Sequence, residues 1–340
     1  MKYVRLGNSG VKVSQLCLGT WFLPLLPEKD EYGVYKVDRD IALKIFKKAY
    51  DEGINFFDTA NVYHGALWDT DPIHVGNSER LVGEFLSTID RESIVLSTKV
   101  RGKMAPWING EGLSRKHIMW QIKESLKRLR TDYVDIYIIH WPDPDTPKLE
   151  TLKALDDLVR QGKVHYLGIS NHDAMDVLEF LELSERYGLE QFRVIQDLYN
   201  LIERYVERYK VDIAKKYGMA IMAYAPLAHG FLTGKYVDFQ KKTWRVEELS
   251  RIGMYERLKD RYFKESNLKV ILTLKEIADE KGVSLSQIAI AWLIKRSEEF
   301  NVPIIPVIGV SKPEHLEDNL NAINVNLTSD DMKRIEKAFT

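Results

Sequence analysis

The feature that most constrains this chain is a unit that recurs along it. A short apolar run of strand length leads into a polar turn and then a segment of helical spacing, eight times over. The pairs begin with Gln15 to Gly19 and Asp40 to Glu52, Ile54 to Asp58 and Asn77 to Ser87, Ile94 to Val100 and Ser114 to Arg130, and Val134 to His140 and Leu149 to Gln161. They continue with Tyr166 to Ser170 and Ala174 to Tyr187, Val194 to Gln196 and Arg204 to Lys216, Met219 to Ala225 and Leu268 to Lys281, and Ile304 to Ile308 and Pro313 to Asn321. Strands joined through helices run parallel, because each crossover returns the chain to the same end of the sheet. Eight such units in 340 residues favour a closed α/β barrel of the (β/α)8 type, in one domain over 1–340, rather than an open doubly wound sheet.

Flanking patterns add detail. Residues 2–13 alternate as two short strands about Gly7, Asn8, Ser9 and Gly10, a hairpin that reads as a lid or plug. Ser114 precedes RKHIMWQIKESLKRLR, a helix with apolar positions Ile118, Ile122, Leu126 and Leu129 and a cationic last turn suited to the helix dipole. Gly53, Gly162, Gly188 and Gly218 each separate a helical segment from the next strand, where a left-handed residue is wanted. The segment Ser284 to Arg296 has no strand of its own and predicts an extra helix on the outer ring. Long loops over 64–76, 101–113 and 226–267 all fall on the rim at the strand C-termini.

Composition narrows the class. Hydrophobic residues make up 45%, enough for a large core, and 49 Lys plus Arg against 50 Asp plus Glu leave a net charge of −1, so no nucleic-acid or acidic-membrane partner is indicated. The single cysteine, Cys17, permits neither an intrachain disulfide nor a cysteine metal cluster. No run approaches the roughly 18 apolar residues of a membrane span, and the charged start MKYVRLGNSG does not read as a secretory signal. A soluble cytoplasmic protein in a reducing compartment is expected. A homo-oligomer is left open.

The chemistry-bearing residues cluster at strand ends. INFFDTANVY ends an apolar run in Asp58 and follows it with Tyr63, IVLSTKV carries Lys99, and VDIYIIH ends in His140 before Trp141 and Pro142. Ser170 with Asn171, then Gln196 and Tyr224, finish the next three strands. Each alone has an ordinary explanation as a turn cap or a solvated strand end. Together, at the C-terminal mouth of a parallel barrel, they form an acid–base set.

FDTANVY, STK, DYVDIYIIHWPD, GISN, QDLYN, AYAPLAHGFLTGKY and GVSKPEHLEDN follow one another in this order, with Gly19 and Thr20 after the first strand. With these motifs the chain resembles the aldo-keto reductase superfamily over nearly its whole length, nearest the branch that includes potassium-channel β subunits and bacterial aldo-keto reductases. The resemblance implies an NAD(P)H-dependent oxidoreductase that reduces a small aldehyde or ketone to an alcohol, Tyr63 being the proton donor. A phenol near pKa 10 is a poor acid at neutral pH. Lys99 is expected to lower that value by stabilising the phenolate, Asp58 to keep Lys99 charged and in place, and His140 to orient the substrate oxygen. A Schiff-base lysine at Lys99 is the rival chemistry, and Asp58 with Tyr63 at family spacing weighs against it. A metal held by Asp58, His64 and His140 has no compact ligand spacing behind it. A cofactor-binding regulatory or scaffold subunit with little turnover is the alternative function.

Gly110 to Gly112 is the one Gly-x-Gly, has Arg115 where the dinucleotide fingerprint wants glycine, and GFLTGKY lacks the spacing of a phosphate-binding loop. The resemblance implies instead a nicotinamide dinucleotide across the barrel mouth. Ser170, Asn171 and Gln196 would meet its carboxamide and Tyr224 its ring, with Gly19, Thr20, Asp58 and Gly309 alongside. Pro226, Leu227, Gly230, Leu232 and Lys235, then Ser311, Lys312, His315, Asp318 and Asn319 at a helix N-terminus, would hold its phosphates and adenosine. Arg245 is a further phosphate contact, with Arg251 competing for that role. His315 stands where relatives carry Gln or Arg, and Asp318 where they carry Glu. Lys235 and Lys312 favour NADP(H) over NAD(H). Trp21, Phe22, Trp107 and Trp141 are expected to rim the substrate cleft with Tyr63 and His140, and the long loop over 64–76 to reshape it or serve assembly.

Overall fold

The computed structural model describes residues 1–66, 74–245 and 256–339. Eight parallel strands close into a barrel in chain order: β1 (Cys17–Gly19), β2 (Phe56–Asp58), β3 (Val95–Val100), β4 (Val134–Ile139), β5 (Val164–Ser170), β6 (Phe192–Leu198), β7 (Ala220–Tyr224) and β8 (Ile304–Gly309), the last pairing with β1. Around them lie α1 (Arg39–Asp51), α2 (Asn77–Leu86), α3 (Arg115–Leu129), α4 (Lys148–Arg160), α5 (Ala174–Tyr187) and α6 (Val206–Tyr217). Then come α7 (Glu256–Tyr262), α8 (Glu265–Lys281), α9 (Leu285–Phe300), α10 (Pro313–Asn321) and α11 (Ser329–Lys337). This is the expected (β/α)8 architecture.

Strand alternation makes two concentric cores. Cys17, Phe56, Val95, Ile136, Ile138, Val194, Met222 and Ile305 point inward and fill the barrel. Their neighbours Leu18, Phe57, Leu96, Tyr137, Ile139, Ile195, Ile221 and Ile308 point outward under the helices. Strands buried on both faces therefore read as continuous apolar runs. The helices complete the outer layer with one face each. In α1 the buried set is Ala42, Ile45, Phe46 and Ala49, and the Asp38 carboxylate starts the helix by accepting the Ile41 N–H at 3.0 Å.

The hairpin of Tyr3–Arg5 and Lys12–Ser14 is a plug at the N-terminal end of the barrel. Leu6 and Val13 join the inner core, and the Asn8 N–H donates to the Gly218 carbonyl at 2.7 Å. Gly7 is left-handed with φ +59°, and a Cβ there would stand 2.3 Å from the Gly218 oxygen, so the fit is backbone against backbone.

Where α2 crosses α3 the approach is equally close. Gly83 in α2 would place a Cβ 2.2 Å from the Arg128 carbonyl oxygen and 2.8 Å from the Leu129 Cα. Alanine normally favours a helix interior over glycine by about 1 kcal/mol. Here overpacking wins, and Gly83→Ala is expected to destabilise the protein by about 1–3 kcal/mol. A lower midpoint in denaturant unfolding checks this, and a raised midpoint refutes it.

One assignment reverses. The helix expected as an outer insertion over Ser284 to Arg296 is α9, which packs directly on β8, while α8 lies outside it between α9 and α11. The physical reason is that α9 buries Leu285, Ile288, Ala289, Ile290, Ala291, Trp292 and Leu293, and a helix apolar around most of its circumference belongs inside. The strand pattern also leaves out a hairpin after β1 (Leu25–Lys29 with Tyr35–Val37), a small one after β7 (Val237–Asp238 with Thr243–Trp244), and α11. The last announces itself through a capping box between Thr328 and Asp331. Among the described residues no helix is long and apolar enough to cross a membrane.

Candidate active site

The two-residue alternation that fills the barrel also builds its mouth. Going up each strand, the inward position after Phe56 is Asp58, after Val95 come Ser97 and Lys99, after Ile138 comes His140, after Val194 Gln196, and after Met222 Tyr224. The inner column is thus apolar below and polar above. A cavity of about 670 Å³ opens on this rim, and Asp58, Tyr63, His140, Ser170, Asn171, Gln196 and Tyr224 line one end of it. Gly19, Trp21, Phe22 and Trp141 stand beside them, with Gly309 paired to Gly19 on the adjacent strand. The other end is lined by Pro226, Leu227, Gly230 and Lys235 from the loop after β7, and by Ser311, His315, Asp318 and Asn319 around the start of α10.

Lys99 is fully buried beneath Tyr63, and all three of its ammonium protons have acceptors. Nζ donates to Asp58 Oδ2 at 2.7 Å, to the Thr59 carbonyl at 2.9 Å and to Tyr63 Oη at 3.1 Å. The second carboxylate oxygen of Asp58 accepts from Ser97 Oγ at 2.6 Å and from Gln196 Nε2 at 2.9 Å. Burial opposes the lysine charge, but Asp58 and Tyr63 outweigh it and hold the Lys99 pKa above its ordinary value. The ammonium is retained.

Tyr63 is under two opposed influences. Lys99 does pull the phenol pKa down, yet burial, aided by the Asp58 charge, pushes harder, and the net displacement is upward. Tyr63 therefore keeps its proton across the neutral range. His140 Nε2 stands 3.5 Å from Tyr63 Oη with the rings edge to face. Burial, then the Lys99 and Arg101 charges, hold the imidazole well below its usual pKa, so it is neutral. Its Nδ1 is buried with no hydrogen-bond partner among the described residues. Facing Oη is a neutral ring that can donate from Nε2.

Other expected residues sit off the cavity wall. Thr20 is buried, its hydroxyl donating to the Asp58 carbonyl at 3.1 Å. Leu232 belongs to the outer core. Lys312 caps α10 and its charge acts on His315, as does that of Lys235. Arg245 is placed by its backbone N–H, which donates to the Tyr236 carbonyl at 2.8 Å, and it does not line the cavity. Trp107 does not line this cavity: it is 60% exposed in the loop before α3 and leans on Trp120. His64 does not line the cavity and packs edge-on against His74, with ring centroids 5.1 Å apart. Arg251 and residues 67–73 of the loop over 64–76 lie outside the described residues.

Sequence reasoning missed Val62, His229, Thr233 and Ser286, which also line the cavity. His229 and Thr233 fall inside the quoted AHGFLTGKY stretch. Ser286 was hidden by placing its helix on the outer ring. That helix also fixes Asp318, whose carboxylate accepts from Ser284 Oγ at 2.8 Å and from Gln287 Nε2 at 2.7 Å.

Comparison with known proteins gives the family. The model of the Aldo/keto reductase family matches residues 15–339. A putative aryl-alcohol dehydrogenase of Schizosaccharomyces pombe is 33% identical over 99% of this chain and 95% of its own length. A probable voltage-gated potassium channel subunit beta of Oryza sativa is 34% identical over 96% of this chain and 92% of its own. An L-glyceraldehyde 3-phosphate reductase of Escherichia coli K12 is 34% identical over 96% of this chain and 89% of its own.

Proposed function

This chain belongs to the aldo/keto reductase family, and on that footing we propose that it reduces an aldehyde or ketone to the alcohol with NADP(H), Tyr63 delivering the proton. The observation that carries the reading is the buried Lys99 ammonium 3.1 Å beneath Tyr63 Oη with neutral His140 3.5 Å beside it. A carbonyl oxygen seated between Tyr63 and His140 meets two donors. When bound, the dihydronicotinamide supplies a hydride to the carbonyl carbon. As negative charge gathers on the oxygen, Tyr63 Oη–H donates to it, and the phenolate left behind is stabilised by Lys99. Asp58 holds the Lys99 ammonium in place through one carboxylate oxygen, and its other oxygen is fixed by Ser97 and Gln196. The aryl-alcohol dehydrogenase and reductase names of the relatives support the same chemistry.

The cavity suits a nicotinamide dinucleotide. At the Tyr63 end, Tyr224 offers a ring face, Ser170 and Asn171 offer polar groups, and Gln196, whose amide nitrogen is engaged by Asp58, offers its amide oxygen. At the far end, Lys235 arches over Gly230, where a Cβ would meet its Nζ at 3.2 Å, and Ser311 and the start of α10 complete an anion-favouring corner. Lys235, Lys312 and His315 gathered at one corner support a 2′-phosphate there, hence NADP(H). Trp21, Phe22 and Trp141 beside Tyr63 favour a carbonyl with an apolar or aromatic substituent.

Titration with NADPH and, separately, NADH tests this through intrinsic tryptophan fluorescence, since Trp21 and Trp141 line the cavity. NADPH is expected to bind more tightly than NADH, and Lys235→Ala to weaken NADPH by about tenfold or more while changing NADH little. Absence of binding by either nucleotide would overturn the reading.

A further inference from the structure

Behind the cavity wall lies an ion pair that the proton-transfer set does not use. Asp197 follows Gln196 on β6, Lys210 lies on α6, and their side chains are only 7% and 5% exposed. Lys210 Nζ donates to Asp197 Oδ2, and Asp197 Oδ1 accepts the Asn171 backbone N–H at 2.8 Å. Burying two charges seldom improves on well-packed apolar side chains, so stability alone does not account for the pair.

Asn171 does. It sits just past β5 with φ +59°, a left-handed conformation that asparagine tolerates without preferring. From that position its side chain ties three strand ends together. Nδ2 donates to the His140 carbonyl at 2.9 Å and to Ser170 Oγ at 2.9 Å, while Oδ1 accepts from Tyr224 Oη at 2.8 Å. Rotating Asn171 into an ordinary conformation would break all of these contacts at once.

We propose that Asp197 and Lys210 are positioning residues: the carboxylate, fixed by the lysine, holds Asn171 left-handed, and Asn171 in turn sets Tyr224 and the His140 backbone for the nicotinamide end of the site. Lys210 fills one carboxylate oxygen and keeps the other aimed at the Asn171 N–H. The benefit to nucleotide binding rests on the reductase reading; the hold on Asn171 does not.

The test compares two double variants that both remove the charges. Asp197→Asn with Lys210→Met retains an oxygen for the Asn171 N–H, whereas Asp197→Leu with Lys210→Met does not. Thermal melts verify that both fold, and Asp197→Ala replaces the leucine should that variant fail. Amide hydrogen exchange at Asn171, measured without nucleotide, is expected to stay slow in the asparagine variant and to rise at least tenfold in the leucine variant. With NADPH and an aldehyde, the leucine variant is expected to lose tenfold or more in kcat and in nucleotide affinity, and the asparagine variant to remain near wild type. Equal exchange and equal kcat in the two would overturn the proposal. Faster exchange in the leucine variant alone, in a protein whose wild type neither binds nucleotide nor reduces aldehydes, supports the positioning and removes the reductase reading instead.

Discussion

Tyr63→Phe is expected to lower kcat for aldehyde reduction by about 10²–10⁴-fold, the range a positioned general acid supplies, while NADPH binding stays near wild type. Phenylalanine keeps the ring against His140 and removes only the oxygen that Lys99 contacts at 3.1 Å. The wild-type pH profile carries the same information. Because burial raises the Tyr63 pKa above its ordinary value near 10, the acid form persists, and the reduction rate should be flat from about pH 7 to about pH 10 before it falls. His140, held well below its usual pKa, adds no inflection in that window. Unchanged turnover in the phenylalanine variant would remove Tyr63 from the chemistry.

The second large effect is on Lys99. Lys99→Met leaves the Asp58 carboxylate, 3% exposed, with Ser97 and Gln196 but no cation. Removing one partner of a buried pair costs about 3–5 kcal/mol, far more than the pair contributes when intact. Turnover should fall with stability, because the phenolate has lost its counter-charge. Adding Asp58→Asn to Lys99→Met is expected to recover much of the stability and none of the turnover. Denaturant unfolding of the two single variants and the double gives the coupling directly. Strictly additive stability losses would show that the two charges do not act as a unit.

Much of this site is legible in the sequence, because a parallel strand buried on both faces has a simple grammar. Phe56 to Asp58 and Val95 to Lys99 show where apolar inward positions give way to polar ones, and that change marks the mouth. What competes in three dimensions is less legible. The pattern places Lys99 near Tyr63 and gives the direction of its pull, but it does not weigh that charge against desolvation, and burial sets the net direction. α9 looked like an addition because its strand partner, β8, follows it instead of preceding it. Trp107 looked like a cleft residue because loop membership says nothing about which side of the loop a ring takes. Lys210 reads as one more polar position on an amphipathic helix, and nothing local reveals that its partner is Asp197, across the sheet–helix interface.

The N-terminal hairpin leaves a consequence for traffic. With Gly7 seated on the Gly218 carbonyl and Leu6 and Val13 packed into the barrel, the lower end is sealed by atoms in contact. Among the described residues that end offers no way through, so a nucleotide and a carbonyl compound bound as proposed would both pass the rim. Whichever lies deeper must arrive first and depart last, so the sequence of binding events becomes a property of the rim alone. Substitutions in the loop after β7 or around Trp21 can then change turnover by altering exit without touching a reacting atom.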